Sequence, residues 1–209
     1  MRIPAKAHVA VAAILILVAA SAATSTAAAA DQAALRREAA AGLKKACQLF
    51  AEKVSTQGGY LWRYSEDLAV REGEGKADDK TVWVQPPGTP AVGMALLDAY
   101  EATGDEDYLG AATKTGHCLV RGQLRSGGWD YRITFDEKER SRCAYRVDPP
   151  LEGKSQRNTS TLDDNTTQAA LRFLISLDGA LKRSDAAVHE AAITGLETLL
   201  AVQYPIGAW

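Results

Sequence analysis

The stretch "TLDDNTT", Thr161 to Thr167, sets two carboxylates, Asp163 and Asp164, side by side at the head of an apolar helical pattern. Acids so placed can accept first-turn amides and complement the helix dipole. They can also offer hard oxygens to a cation such as calcium, which wants several at once. Thr166 and Thr167 beside them can line a cleft or satisfy backbone. A second chemical group is cationic: Arg71 and Lys76 in "REGEGKADDK" suit an acidic sugar chain, although a charged, Gly-containing stretch is by default a solvated loop. Trp62, Trp83 and Trp129 offer ring faces for sugars or area for a core. His8, His117 and His189 are scattered, and Cys47, Cys118 and Cys143 lack metal-clip spacing, so no zinc site is expected. A net charge of −2 gives no basic footprint for nucleic acid.

These residues must be positioned by elements, and the sequence marks those clearly. Arg2 and Lys6 precede an apolar run from Val9 to Ala20 and then "TAAAAD", the order of an export signal over residues 1–30, with cleavage after Ala28 or Ala30. The run is too short to span a bilayer, so the remaining chain is expected secreted or periplasmic, with no stable membrane span. Three cysteines allow at most one internal bridge. Cys47 and Cys118 lie in apolar helical patterns, where buried free thiols are the commoner outcome, and pairing stays open.

Residues 31–209 read as one helical domain with five helices and short extended arms. The first helix carries Leu35, Leu43, Ala46, Leu49 and Phe50 on one side and stops at Gln57-Gly58-Gly59. Tyr60 to Val70 reads as a short strand. Thr89 is placed to cap a helix over 91–102, with Pro90 in its first turn. A second helix runs from about Asp107 to Leu124, then "RSGGWDYRITFD" extends, and residues 136–160 form a long polar loop. A last hairpin follows. The second helix of each complete hairpin ends on one phrase, Gln, three residues, Gly, one residue, Trp: Gln123 to Trp129, and Gln203 to Trp209. Hairpins of two amphipathic helices need neighbours to bury their faces, so the phrase reads as a repeat junction. Gly allows the sharp turn, Gln can bond the freed backbone groups, and the indole supplies buried area.

Helical hairpins closed by Q-x-x-x-G-x-W resemble the α/α toroid enzymes, among them terpene cyclases and the family 10 pectate lyases. Thr161 stands where a class II cyclase needs the first acid of Asp-x-Asp-Asp. "TLDDNTTQAALRFL", Thr161 to Leu174, instead resembles the pectic acid lyase signature T-[IL]-D-N-x-x-T-T-x-x-[IM]-R-F-L, and "AVQYPIGAW" is similar to that family's "AQYPNGGWPQ". Asp164 replaces an Asn and Ala208 a Gly. The resemblance covers roughly Gly58 to Trp209. It implies an all-α fold, an incomplete α/α toroid of hairpins joined at those junctions, with the ring's other half lacking, as in a truncated product.

The resemblance further implies calcium-assisted β-elimination of polygalacturonate. A base removes the C5 proton, the C4 oxygen leaves, and calcium bridging carboxylate to protein spreads the enolate charge. Asp163 and Asp164 match the calcium ligands by position. Arg71, Lys76 and Trp129 are the candidates for substrate contact. The family's base is an arginine from a later part of the ring with no counterpart before Trp209, so the catalytic residue is left unknown. Arg172 reads as structural. The competing function is a non-catalytic repeat module that binds glycan or protein on its concave face.

Overall fold

The computed structural model describes residues 31–153 and 155–209; the expected signal lies outside the described residues. Among the described residues no helix is long and apolar enough to cross a membrane. The chain divides into two compact units, residues 1–46 and residues 47–209. In the first, residues 31–46 belong to a helix α1 that runs over 31–49. Its apolar residues are exposed, Leu35 at 67%.

In the second unit α1 ends in a π-turn, Phe50–Val54. The later helices are α2 (Thr89–Thr103), α3 (Glu106–Gly122), a four-residue α4 (Glu137–Arg140), α5 (Thr166–Ala180) and α6 (Ala186–Ala201). The all-α expectation and the five long helices stand. Extended chain is confined to two short antiparallel pairs. In one, β1 (Arg63–Tyr64) sets Arg63 against Glu72 of β2 (Arg71–Glu72), with an ion pair at 3.0 Å. In the other, β3 (Thr81–Trp83) and β4 (Arg132–Thr134) bury Val82 against Ile133.

The core forms where α2 meets α3 and α5, and α5 meets α6. Small residues set the spacing. A Cβ on Gly93 of α2 would lie 2.5 Å from the ring of Phe173 on α5, so glycine lets the two helices approach. At α3 and α6, Asp105 and Asp185 cap first-turn amides. The cap expected at α2 is not made. Thr89 is the first helical residue rather than its cap, and its side chain makes no capping bond. Its hydroxyl reaches across the chain, accepting from Tyr60 N at 2.9 Å and donating to Tyr60 O at 3.2 Å.

Thr167, the second residue of α5, repeats that contact. Its hydroxyl accepts from Trp129 N at 3.1 Å and donates to Trp129 O at 3.3 Å. Trp129 is 0% exposed and Tyr60 2%. The Gln123–Trp129 phrase works as a closed knot: Gln123 Nε2 donates to Gly127 O at 2.8 Å and to Ala191 O of α6 at 2.9 Å, and Trp129 Nε1 donates to Leu119 O at 2.8 Å. Gly127 takes φ +90°, which favours glycine. Cys47, Cys118 and Cys143 are all free thiols, and burial pushes the Cys118 thiol up to about 12.

Because Trp129 fills the centre of this packing, Trp129→Ala is expected to cost about 3–5 kcal/mol in denaturant unfolding. Trp209→Ala, at a ring 58% exposed, is expected to cost less than about 1 kcal/mol in the same measurement.

Candidate functional site

The mouth of α5 is shaped by two consecutive left-handed residues, Asp164 (φ 49°, ψ 31°) and Asn165 (φ 60°, ψ 25°). Asp and Asn tolerate this conformation better than other side chains. A short 3₁₀ turn, Asp163–Asn165, results, and backbone oxygens satisfy the first amides of the helix: Thr166 N donates to Asp163 O, and Thr167 N to Thr161 O at 3.1 Å. Neither carboxylate caps the helix, which corrects the capping reading of the pair. Both side chains stay exposed at the surface.

Each carboxylate is oriented by one side chain from another element. Asp163 Oδ2 accepts from Tyr131 Oη at 3.0 Å, while its Oδ1 accepts from Asp164 N at 3.0 Å. Asp164 Oδ2 accepts from Gln85 Nε2 at 2.8 Å. Gln85 is buried and held in turn: its Oε1 accepts from Trp83 Nε1 at 3.2 Å and its backbone oxygen from Trp62 Nε1 at 2.9 Å. The two indoles meet edge to face with centroids 6.2 Å apart. The Asp163 carboxylate, by accepting the Tyr131 hydroxyl, raises that phenol above its ordinary range. Asp164 Oδ1 has no hydrogen-bond partner among the described residues, so the pair keeps lone pairs facing solvent.

On β4 and the 136–160 loop lies a second feature, a cavity of ≈ 450 Å³ with Lys76, Arg132, Arg142 and Arg157 in its lining. Arg157 pairs with Asp130 at 2.6 Å and Arg142 with Glu139 at 2.9 Å. Lys76 and Arg132 make no ion pair among the described residues, and Arg132 is exposed. The segment Asp130-Tyr131-Arg132 serves both features, since Asp130 and Arg132 belong to the cationic side and Tyr131 to the carboxylate pair.

Of the expected substrate residues, the structure puts Lys76 in this cavity and separates the other two from it. Arg71 lies on β2, its Nε donating to Leu68 O at 3.2 Å and its guanidinium 5.8 Å from the Tyr64 ring centroid. Trp129 is wholly buried and presents no ring face to a glycan, which corrects its reading as a sugar platform: the junction needs its full area. Arg172 is exposed and makes no ion pair among the described residues. Sequence reasoning missed Gln85, Tyr131, Arg132, Arg142 and Arg157. The density of cations in "EKERSRCAYR" was the available signal, but that stretch read as loop.

No group of three or more His, Cys, Asp or Glu able to hold a metal occurs among the described residues. Two carboxylates alone make an incomplete shell for calcium, which takes about 6–8 oxygens.

No family model matches the chain, and no curated protein matches it. Among solved structures, it is similar to a family 10 polysaccharide lyase from Cellvibrio cellulosa and to a mutant of that lyase in complex with trigalaturonic acid. In both, identity is 18% and the TM-score 0.47, over 76% of this chain and 46% of the other. The chain thus spans less than half the length of the structures it matches.

Removing the Asp163 charge should relieve the Tyr131 phenol. Asp163→Ala is expected to move its titration to lower pH, read from phenolate absorbance as the difference against Tyr131→Phe. An unmoved titration would show that the two groups do not meet.

Proposed function

We propose that this chain is a polysaccharide-lyase-like protein that takes an acidic, uronate-containing glycan, with calcium held between Asp163, Asp164 and a ligand carboxylate. The observation that carries the reading is the exposure of those two carboxylates at the mouth of α5. They stand in a stretch resembling the pectic acid lyase signature, aimed by Gln85 and Tyr131 and not consumed in capping. The cavity that Arg132, next to Tyr131, lines supports a polyanionic ligand, since Lys76, Arg132, Arg142 and Arg157 outnumber Asp78 and Glu139 in its lining.

In the reaction this implies, a base takes the C5 proton, the C4–oxygen bond breaks with its electron pair on the leaving sugar, and a C4=C5 double bond remains. Calcium on the C6 carboxylate would acidify that proton by spreading the developing charge. No described residue is assigned as the base. The second reading, binding without turnover, keeps the same ligand and the same cation.

Isothermal calorimetry of the chain with calcium, with and without trigalacturonate, tests the proposal. Calcium binding is expected to tighten when the uronate is present and to weaken about tenfold or more in Asp163→Ala, the scale on which supporting changes at metal sites act. Calcium binding that ignores both the uronate and the substitution would sink the proposal. Incubation with polygalacturonate then separates the two readings. Growth of near-ultraviolet absorbance from unsaturated product marks elimination, and retention of the polymer without that signal marks a binding module. Calcium should also pull the Tyr131 titration down, because a cation on Asp163 favours the phenolate.

A further inference from the structure

The pair β3–β4 has two unlike faces. Side chains alternate along a strand, and Val82 and Ile133, set opposite one another, go into the core at 0% and 1% exposure. Thr81, Trp83, Arg132 and Thr134 therefore share the other face, with Thr81 against Thr134 and Trp83 against Arg132. Thr81, Arg132 and Thr134 line the ≈ 450 Å³ cavity. Trp83 reaches the carboxylate pair instead, through Gln85 to Asp164. One strand face thus serves both features. Lys76 comes to the cavity on a short loop that is pressed against this face. A Cβ on Gly73 would lie 2.2 Å from the Trp83 indole, and Gly73 N donates to Gly75 O and Ala77 N to Arg71 O, each at 2.9 Å.

The donors around the cavity are not equally engaged. Arg157 is taken up by Asp130 and Arg142 by Glu139. Lys76 and Arg132 make no ion pair among the described residues. Thr81 is the less expected member. It is only 9% exposed, it lines the cavity, and its hydroxyl makes no hydrogen bond among the described residues. Buried hydroxyls ordinarily have a partner, and an acceptor inside the cavity would supply the one Thr81 lacks. Asp78 and Glu139 in the same lining narrow the ligand class. Two acids oppose a doubly charged phosphate or sulfate, and both can accept from hydroxyls. A hydroxylated monocarboxylate meets both conditions.

We infer that this cavity is a calcium-independent subsite for the carboxylate of a further uronate on the same glycan, resting on the proposed function only for the identity of that glycan. The carboxylate accepts from Thr81 Oγ1 and lies between Lys76 and Arg132. Asp78 and Glu139 accept hydrogen bonds from the hydroxyls of that sugar. Binding here does not need the ion at Asp163 and Asp164, which acts on a different acid group of the chain.

The test is a titration of the full chain with trigalacturonate in EDTA, read by ligand-observed nuclear magnetic resonance and repeated with calcium. Binding without calcium is expected, and Lys76→Gln with Arg132→Gln should weaken it about tenfold or more, the scale of hydrogen bonds to a charged group. Thr81→Val is expected to weaken binding while leaving the unfolding midpoint in place, because the hydroxyl it removes has no partner within the fold. A hydroxyl with a structural role alone would move the midpoint and spare the binding, and that result removes Thr81 from the subsite. Inorganic phosphate is expected to compete poorly. No binding in EDTA, binding that all three substitutions leave unchanged, or phosphate bound as tightly as trigalacturonate overturns the assignment. Calcium that fails to tighten binding, with the effects of the substitutions intact, would strike the proposed function and leave the subsite standing.

Discussion

Two threonine hydroxyls hold the second unit together, and the candidate site depends on both. Thr89 and Thr167 each grip an aromatic residue by its backbone N and O, Tyr60 and Trp129 respectively. Each grip ties the start of one helical hairpin to the turn that precedes it. A buried N–H left unpaired costs about 1–3 kcal/mol, and each hydroxyl satisfies one, while the carbonyl it also meets accepts a backbone amide as well, Trp83 N at Tyr60 O and Thr161 N at Trp129 O. That is why these threonines are buried at helix starts and not spent as caps.

The grips also place the site, in parallel steps. Two residues after Tyr60 comes Trp62, whose indole donates to the backbone of Gln85, four residues before Thr89. Two residues after Trp129 comes Tyr131, whose hydroxyl donates to Asp163, four residues before Thr167. Once each threonine is fixed to its aromatic, the residue two beyond the aromatic meets the residue four before the threonine. The side chain of Gln85 then spans from the first repeat to Asp164 of the second. The carboxylate pair is thus oriented by Gln85 and Tyr131, one placed by each grip, and not by the helix that follows it.

This geometry explains what could be read in advance. Helices are local, and their apolar spacing and the recurring Gln–Gly–Trp phrase announced them. Asp163 and Asp164 were legible as a pair because adjacent acids before an apolar helix are conspicuous. Their orientation was not, because it rests on contacts 32 and 79 residues away in sequence. Thr89 misled for the same reason: a threonine before Pro90 looks like a cap, and only the fold brings Tyr60 to it. Arg132, Arg142 and Arg157 come from a strand and a loop with no periodicity, so their convergence on one cavity had no local signature. Trp129 was offered two roles, and its complete burial leaves the packing one.

The electrostatics of the α5 mouth bear on how a cation could be held there. A helix N-terminus carries roughly +0.5 of a charge, which opposes a divalent ion bound at that end. Two ionised carboxylates outweigh the helix end, leaving roughly −1.5 near the pair against a charge of +2. A protein-only site would therefore be under-compensated in charge as well as short of oxygens. One uronate carboxylate corrects both deficits at once, bringing about one further negative charge and up to two oxygens. On the same reading, an extended acidic chain would also meet Lys76 and Arg132 in the cavity that Arg132, next to Tyr131, lines. On the proposed reading, the pair alone would hold calcium weakly, and the ligand carboxylate would supply what the protein lacks.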